Sequence, residues 1–154
     1  MTTQTELKIG QDAPDFKLKA YSTGESSEYS ISQFKNKKNV ILAFYPKDDT
    51  PGCTKENCAL SNDISNFEAA NTQVFGISCD DVKSHEAFSK KFNFTHPLLA
   101  DVGGEAAKKY GCFQDGKGYS SRKLFVIDKQ SKIQRIIDGI PNNSELLEFL
   151  KTLK

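Results

Sequence analysis

Apolar residues fall into short blocks whose internal spacing changes along the chain. Phe16, Leu18 and Ala20 alternate with Lys17 and Lys19, the period-two signature of a strand with one buried face. Residues 40–45 are an unbroken run of Val, Ile, Leu, Ala, Phe and Tyr, which predicts a strand buried on both faces. A second such run covers 74–78, and a shorter one 98–101. Between them the period lengthens. Leu60, Ile64 and Phe67 recur at i, i+4 and i+7, and Val82, His85, Phe88 and Phe92 follow at helical spacing after Asp80-Asp81, a start signal. Residues 123–128 and 133–138 predict a hairpin turning at 128–131, and Leu146, Phe149, Leu150 and Leu153 predict a closing helix.

The connecting stretches are polar. Residues 1–10 are expected to fray, 21–30 read as a hairpin-like loop around Gly24, and 31–38 as a short helical turn with a basic connector. A short helix over 104–110 ends at Gly111, and 114–118 reads as a flexible loop. Strands separated by helices, then a hairpin and a last helix, predict an α/β fold: a central mixed β-sheet flanked by helices. The 154 residues fit one domain, 1–154, without repeats or a linker.

The stretch between the first buried strand and the first helix carries the chemistry. Pro46, Asp48, Asp49, Pro51 and Gly52 are turn residues. Thr50 is placed to cap the helix with its hydroxyl, and Pro51 falls at the first helical position, where its missing N–H costs nothing. Cys53 then lies in the first turn, among unpaired N–H groups and at the positive end of the helix dipole, and both favour thiolate over thiol. The plain alternative, a small buried hydrophobe, does not explain a cap, a proline and a glycine arranged around one sulfur.

Cys58 stands five residues on, roughly 140° further round the helix, and therefore points away from the face shared by Cys53 and Leu60. In an intact helix the two Cα atoms are roughly 8–9 Å apart, whereas a disulfide needs about 4.4–6.8 Å. If these cysteines bond, the first turns of the helix must open.

Pro46-x-x-x-Thr50-x-x-Cys53 resembles the active-site pattern of the peroxiredoxins. The run from Tyr45-Pro46 through Pro51-Gly52-Cys53-Thr54, with a cysteine five residues later, resembles the bacterioferritin comigratory protein (peroxiredoxin Q) branch. The likeness extends from Ala13-Pro14-Asp15-Phe16 to Phe125-Val126-Ile127-Asp128. It implies a thioredoxin-like fold and a thiol-dependent peroxidase acting on hydrogen peroxide and organic hydroperoxides. Cys53 is then the nucleophile that becomes a sulfenic acid, and Cys58 resolves it as an intramolecular disulfide. Thr50 donates to the sulfur or to a peroxide oxygen, and Pro46 closes the pocket. The resemblance also places the active-site arginine just before a strand, which selects Arg122 over the mid-strand Arg135, and puts an arginine-orienting carboxylate at Glu56. Thioredoxin or a glutaredoxin-like dithiol is the expected reductant.

Composition removes other classes. Twenty-one basic and twenty acidic residues leave a net charge of +1, which gives no electrostatic footprint for nucleic acid or a membrane surface. The opening residues lack the pattern of a signal peptide and no apolar run reaches a membrane span, so a cytoplasmic location is expected; the resemblance implies a monomer, and no exposed apolar stripe argues otherwise. Cys53, Cys58, Cys79 and Cys112 form no paired C-x-x-C knuckle, and neither His85 nor His96 stands at ligand spacing from them, so neither a metal nor another cofactor is expected. His85, on an apolar stripe, reads as a packing histidine. Cys79 and Cys112 read as buried spectators, with Cys112 the alternative resolver. Two rivals remain. A thioredoxin-type exchanger predicts C-x-x-C, which is absent, and a noncatalytic redox sensor would use the same disulfide to alter a partner interface.

Overall fold

A computed structural model describes residues 7–22 and 25–153. The buried run becomes β3 (Asn39–Phe44), in which all six residues are buried. With β4 (Thr72–Ser78) and β5 (Leu98–Ala100) it forms a parallel core, Ile41 opposite Val74 and Ile77 opposite Leu99. Antiparallel strands flank it: β1 (Lys17–Ser22) and β2 (Glu25–Ser30) beyond β5, and β8 (Lys123–Ile127) and β9 (Ile133–Asp138) beyond β3. The order β2-β1-β5-β4-β3-β8-β9 is the expected mixed sheet.

Alternation along β3 builds one core on each face. Val40, Leu42 and Phe44 join Phe16, Phe75, Tyr110 and Phe125 on one side, while Ile41 and Ala43 join Leu60, Phe67, Val74 and Leu146 on the other. Among the described residues five α-helices cover these faces: α1 (Pro51–Asn62), α2 (Ile64–Ala69), α3 (Val82–Phe92), α4 (Glu105–Lys109) and α5 (Asn143–Leu150). Asp81 caps α3, accepting from the Ser84 N–H at 2.8 Å, as its position predicts.

Four expectations are corrected. The Leu60–Ile64–Phe67 stripe spans two helices that break at Asp63, where Asn143 donates to the Ala59 carbonyl (3.0 Å), an acceptor at the end of α1, and to Asp63 (2.8 Å). Of the stretch 21–30, expected as a hairpin-like loop, Tyr21 and Ser22 belong to β1 and Glu25–Ser30 is its antiparallel partner β2; residues 23–24 lie outside the described residues. The loop at 114–118 is the turn of a small hairpin, β6 (Phe113–Gln114) with β7 (Tyr119–Ser120). Of the segment expected to fray, residues 1–6 lie outside the described residues, but Gly10 N–H donates to the Ile133 carbonyl at 2.7 Å.

Candidate active site

β3 ends at Phe44, and α1 begins seven residues later. The connection is held from below. Tyr45 O–H donates to Asp48 Oδ1 (2.6 Å), Ser84 O–H donates to Asp48 Oδ2 (2.8 Å), and Asp48 N–H donates to Asp80 (2.8 Å). His85 closes this buried network. Its Nε2 faces the Leu99 carbonyl at 2.8 Å, which only accepts, so Nε2 carries a proton. Its Nδ1 faces Asp48 Oδ2 at 2.7 Å, so a second proton lies between ring and carboxyl. His85 is thus a satisfied packing histidine, and the carboxyl it fixes is the anchor of the loop bearing Pro46 and Thr50.

Thr50 has extended backbone angles (φ −101°, ψ 154°) and opens α1, with Pro51 at the first helical position. Its side chain does not cap. The hydroxyl donates to the Lys47 carbonyl at 2.9 Å instead, folding the loop back on itself. That bond takes up the hydroxyl's one proton, so the expected donation from Thr50 to the sulfur or a peroxide oxygen is not what the loop sets up; the oxygen can accept instead and has no further partner among the described residues. Pro46, half-buried, follows the fully buried Tyr45 and, with Cys79 and Tyr119, lines a shallow cleft of about 280 Å³.

Cys53 faces inward from the first turn of α1 and is 1 % exposed. β8 runs antiparallel to β3 with Lys123 opposite Phe44, so Arg122, one residue earlier, emerges beside the start of the loop between β3 and α1. Its Nη2 donates to Cys53 Sγ at 3.3 Å, and its Nη1 donates to Glu56 Oε1 at 2.8 Å. Burial works against the charge on Arg122, but the bonds to Glu56 and Cys53 outweigh it and hold the guanidinium above its ordinary range. For Glu56 the balance is reversed. Burial pushes its carboxyl up to about 7 against the pull of Arg122, and its Oε2 has no hydrogen-bond partner among the described residues. The fork joins two residues of one helix turn, as its planar geometry allows.

Gly52 makes that approach possible. A Cβ there would stand 2.9 Å from Arg122 Nη2, so any larger residue would push the guanidinium off the sulfur. The sequence reads Gly52 as turn chemistry, whereas it lies within α1 and its role is clearance. The rival Arg135 is far from this work, its guanidinium stacked 5.0 Å over the Phe149 ring.

The expectation that Cys58 points away from a face shared by Cys53 and Leu60 is corrected: Cys58, partly buried, packs on the same cluster as Cys53, with Tyr45, Phe88, Phe94 and Leu98, while Leu60 lies in a separate core, and burial pushes the Cys58 thiol up. Burial likewise pushes Cys79 up to about 11 and Cys112 above its ordinary value. All four cysteines are free thiols. The family resemblance, not residue spacing, brought Glu56 and Arg122 to Cys53. Sequence reasoning missed the Asp48–His85 anchor and a second buried contact, Asn57 with His96, because neither leaves a mark in residue spacing.

Comparison with known proteins decides what the geometry belongs to. Residues 9–136 match the AhpC/TSA family. A Coxiella burnetii relative bearing the name peroxiredoxin bcp is 41% identical over 153 residues, 96% of this chain and 99% of that protein. The chain belongs to the AhpC/TSA family. It is a thiol-dependent peroxidase on a thioredoxin-like fold. The chloroplastic peroxiredoxin Q of Populus jackii is also 41% identical, over 90% of this chain and 63% of its own length. Among solved structures, peroxidoxin BcpB of Mycobacterium tuberculosis superposes with a TM-score of 0.86 at 29% identity, covering 97% of this chain and 99% of its own. The reduced 2-Cys peroxiredoxin of Plasmodium vivax superposes at 0.88 and 29% identity, over 93% of this chain and 80% of its own.

Proposed function

We propose that Cys53 is the nucleophile of this peroxidase and that Arg122 is the group that makes it one. The thiolate attacks one peroxide oxygen, the O–O bond breaks, and the other oxygen leaves as an alcohol or water once protonated. Cys53 becomes a sulfenic acid. Arg122 holds the sulfur and stabilises charge as it moves to the leaving oxygen, Thr50 orients the peroxide, Pro46 excludes water, and Glu56 aims the arginine. The contact that carries the reading is the guanidinium shared between Cys53 Sγ at 3.3 Å and Glu56 at 2.8 Å.

Cys58 then attacks the Cys53 sulfenic acid, water leaves, and a disulfide forms. In closed α1 the Cys58 thiol is held up by burial and packed against phenylalanines, so opening the helix both brings it within reach and hydrates it. A thioredoxin or glutaredoxin-like dithiol returns both thiols. The cycle uses sulfur chemistry alone. We infer separately a cytoplasmic, single-domain monomer.

Peroxide consumption coupled to thioredoxin tests this. Wild type is expected to turn over and Cys53→Ser to be inactive; activity retained in Cys53→Ser removes the reading. Mass mapping after one equivalent of peroxide is expected to find Cys53 joined to Cys58, and a Cys53–Cys112 link removes Cys58 from its role.

A further inference from the structure

α1 is the helix that the proposed cycle must open, and any control over its opening rests on that reading of the cycle. Two polar contacts fasten it to the loop 93–97 that joins α3 to β5. Thr95 N–H donates to Ser61 Oγ at 2.8 Å, and the two hydroxyls lie 3.0 Å apart. One turn nearer the catalytic cysteine, the fully buried Asn57 donates through Nδ2 to the Cys53 carbonyl at 2.9 Å. Its Oδ1 faces His96 Nε2, also at 2.9 Å.

The orientation of Asn57 fixes the tautomer of His96. Because Oδ1 is the atom facing the ring, Nε2 carries the proton and donates it. Nδ1 is then a lone pair, buried and without a partner among the described residues. A proton added to Nδ1 would put a charge where nothing accepts it.

We propose that Asn57 and His96 form a proton-sensitive latch that positions α1 in its closed form, so that protonating His96 releases the helix and favours the Cys53–Cys58 disulfide. The groups around the ring are uncharged. Asn57 comes from α1 and Phe94, 5.4 Å away between ring centres, from its own loop. From β4 comes Gly76, where an added Cβ would lie 2.7 Å from Asn57 Oδ1 and 3.3 Å from the Tyr45 ring. Cys58, packed on the same phenylalanine cluster, is the titratable neighbour. Among the described residues no carboxylate offsets the burial, which holds the imidazole down at about 3 against an ordinary 6.5.

The sign follows by linkage. Closed α1 excludes the proton and open α1 accepts it, so the closed form is fully favoured above about pH 6.5 and loses ground below it. With an ordinary imidazole in the open form, opening becomes about thirtyfold more favourable at pH 5 than at pH 7.5. Glu56 on the same helix titrates in the opposite sense and is common to wild type and any His96 variant.

The test is the oxidation equilibrium with glutathione. Two electrons pass from the Cys53 and Cys58 thiols to glutathione disulfide, the protein disulfide forms, and two glutathione thiols take up the two protons. His96 adds one proton from solvent to this balance. His96→Gln keeps an N–H for Asn57 Oδ1 but does not titrate. The ratio of equilibrium constants, wild type over His96→Gln, is expected to rise about thirtyfold from pH 7.5 to pH 5. A ratio independent of pH overturns the latch. Amide exchange of α1 in the reduced protein, wild type against His96→Gln and corrected for the intrinsic rate, reads the same opening without any disulfide, and the Glu56 contribution cancels. A wild-type-over-variant opening ratio that rises in acid, with no Cys53–Cys58 bond on oxidation, supports the latch and removes Cys58 from the cycle. A ratio that does not rise in acid overturns the latch while leaving the cycle intact.

Discussion

Glu56→Gln isolates the conflict at the centre of the site. The carboxyl is 1 % exposed and touches Arg122 at 2.8 Å, yet burial outweighs the ion pair and pushes it from 4.5 up to about 7. A carboxyl whose folded value is raised binds its proton more tightly in the native state, so the stability it contributes is complete below about pH 4.5 and is lost as pH rises through 7. Between pH 5 and pH 8 that loss amounts to about 2.5 kcal/mol. Glutamine keeps an oxygen for Arg122 Nη1 and replaces Oε2, which has no partner, by an amide group. Any cost of that amide is independent of pH and cancels in the profile. Urea denaturation of the reduced protein at pH 5 and pH 8 is the assay. Wild type is expected to lose about 2.5 kcal/mol more than Glu56→Gln over that span. Parallel profiles refute the reasoning. Such parallelism would mean that Arg122 dominates and holds the carboxyl low enough to be ionised in both states across this span.

Arg122→Leu removes a charge-assisted hydrogen bond to the sulfur worth about 1.5–3 kcal/mol, so kcat/KM for peroxide is expected to fall roughly ten- to 150-fold, with the KM for the reductant unchanged. Gly52→Ala is expected to split stability from activity. The helix gains up to about 1 kcal/mol by propensity, raising Tm, while the new Cβ displaces the guanidinium and lowers peroxide kcat/KM. His85→Leu strands the Asp48 carboxyl between only Tyr45 and Ser84 and is expected to cost on the order of 3 kcal/mol in urea denaturation.

The sheet was legible because its strands bury both faces and so read as continuous apolar runs, and β3 and β4 fall within a few residues of their expected ends. The polar hairpin strand β2 was not, since Ser and Glu carry no strand signature and only pairing with β1 orders them. The reactive turn was legible through Thr50, Pro51 and Cys53, whose order is local chemistry. What Thr50 does with its hydroxyl was not, because the Lys47 carbonyl competes with the helix end for it and only the folded loop decides which is nearer. Arg122 reached the site through the register of β8 on β3, a long-range property that resemblance supplied and spacing could not. Asp48 with His85, and Asn57 with His96, join residues 37 and 39 positions apart, and polar pairs that distant leave no periodicity to read.

The most direct measurement of the central idea, that one sulfur held by Arg122 takes the peroxide oxygen, uses Cys58→Ser with one equivalent of hydrogen peroxide and a sulfenic-acid trap. The adduct is expected on Cys53 alone, formed at the wild-type rate of peroxide loss and slowed roughly ten- to 150-fold when Arg122→Leu is added. An adduct on Cys79 or Cys112, or a rate indifferent to Arg122, contradicts it.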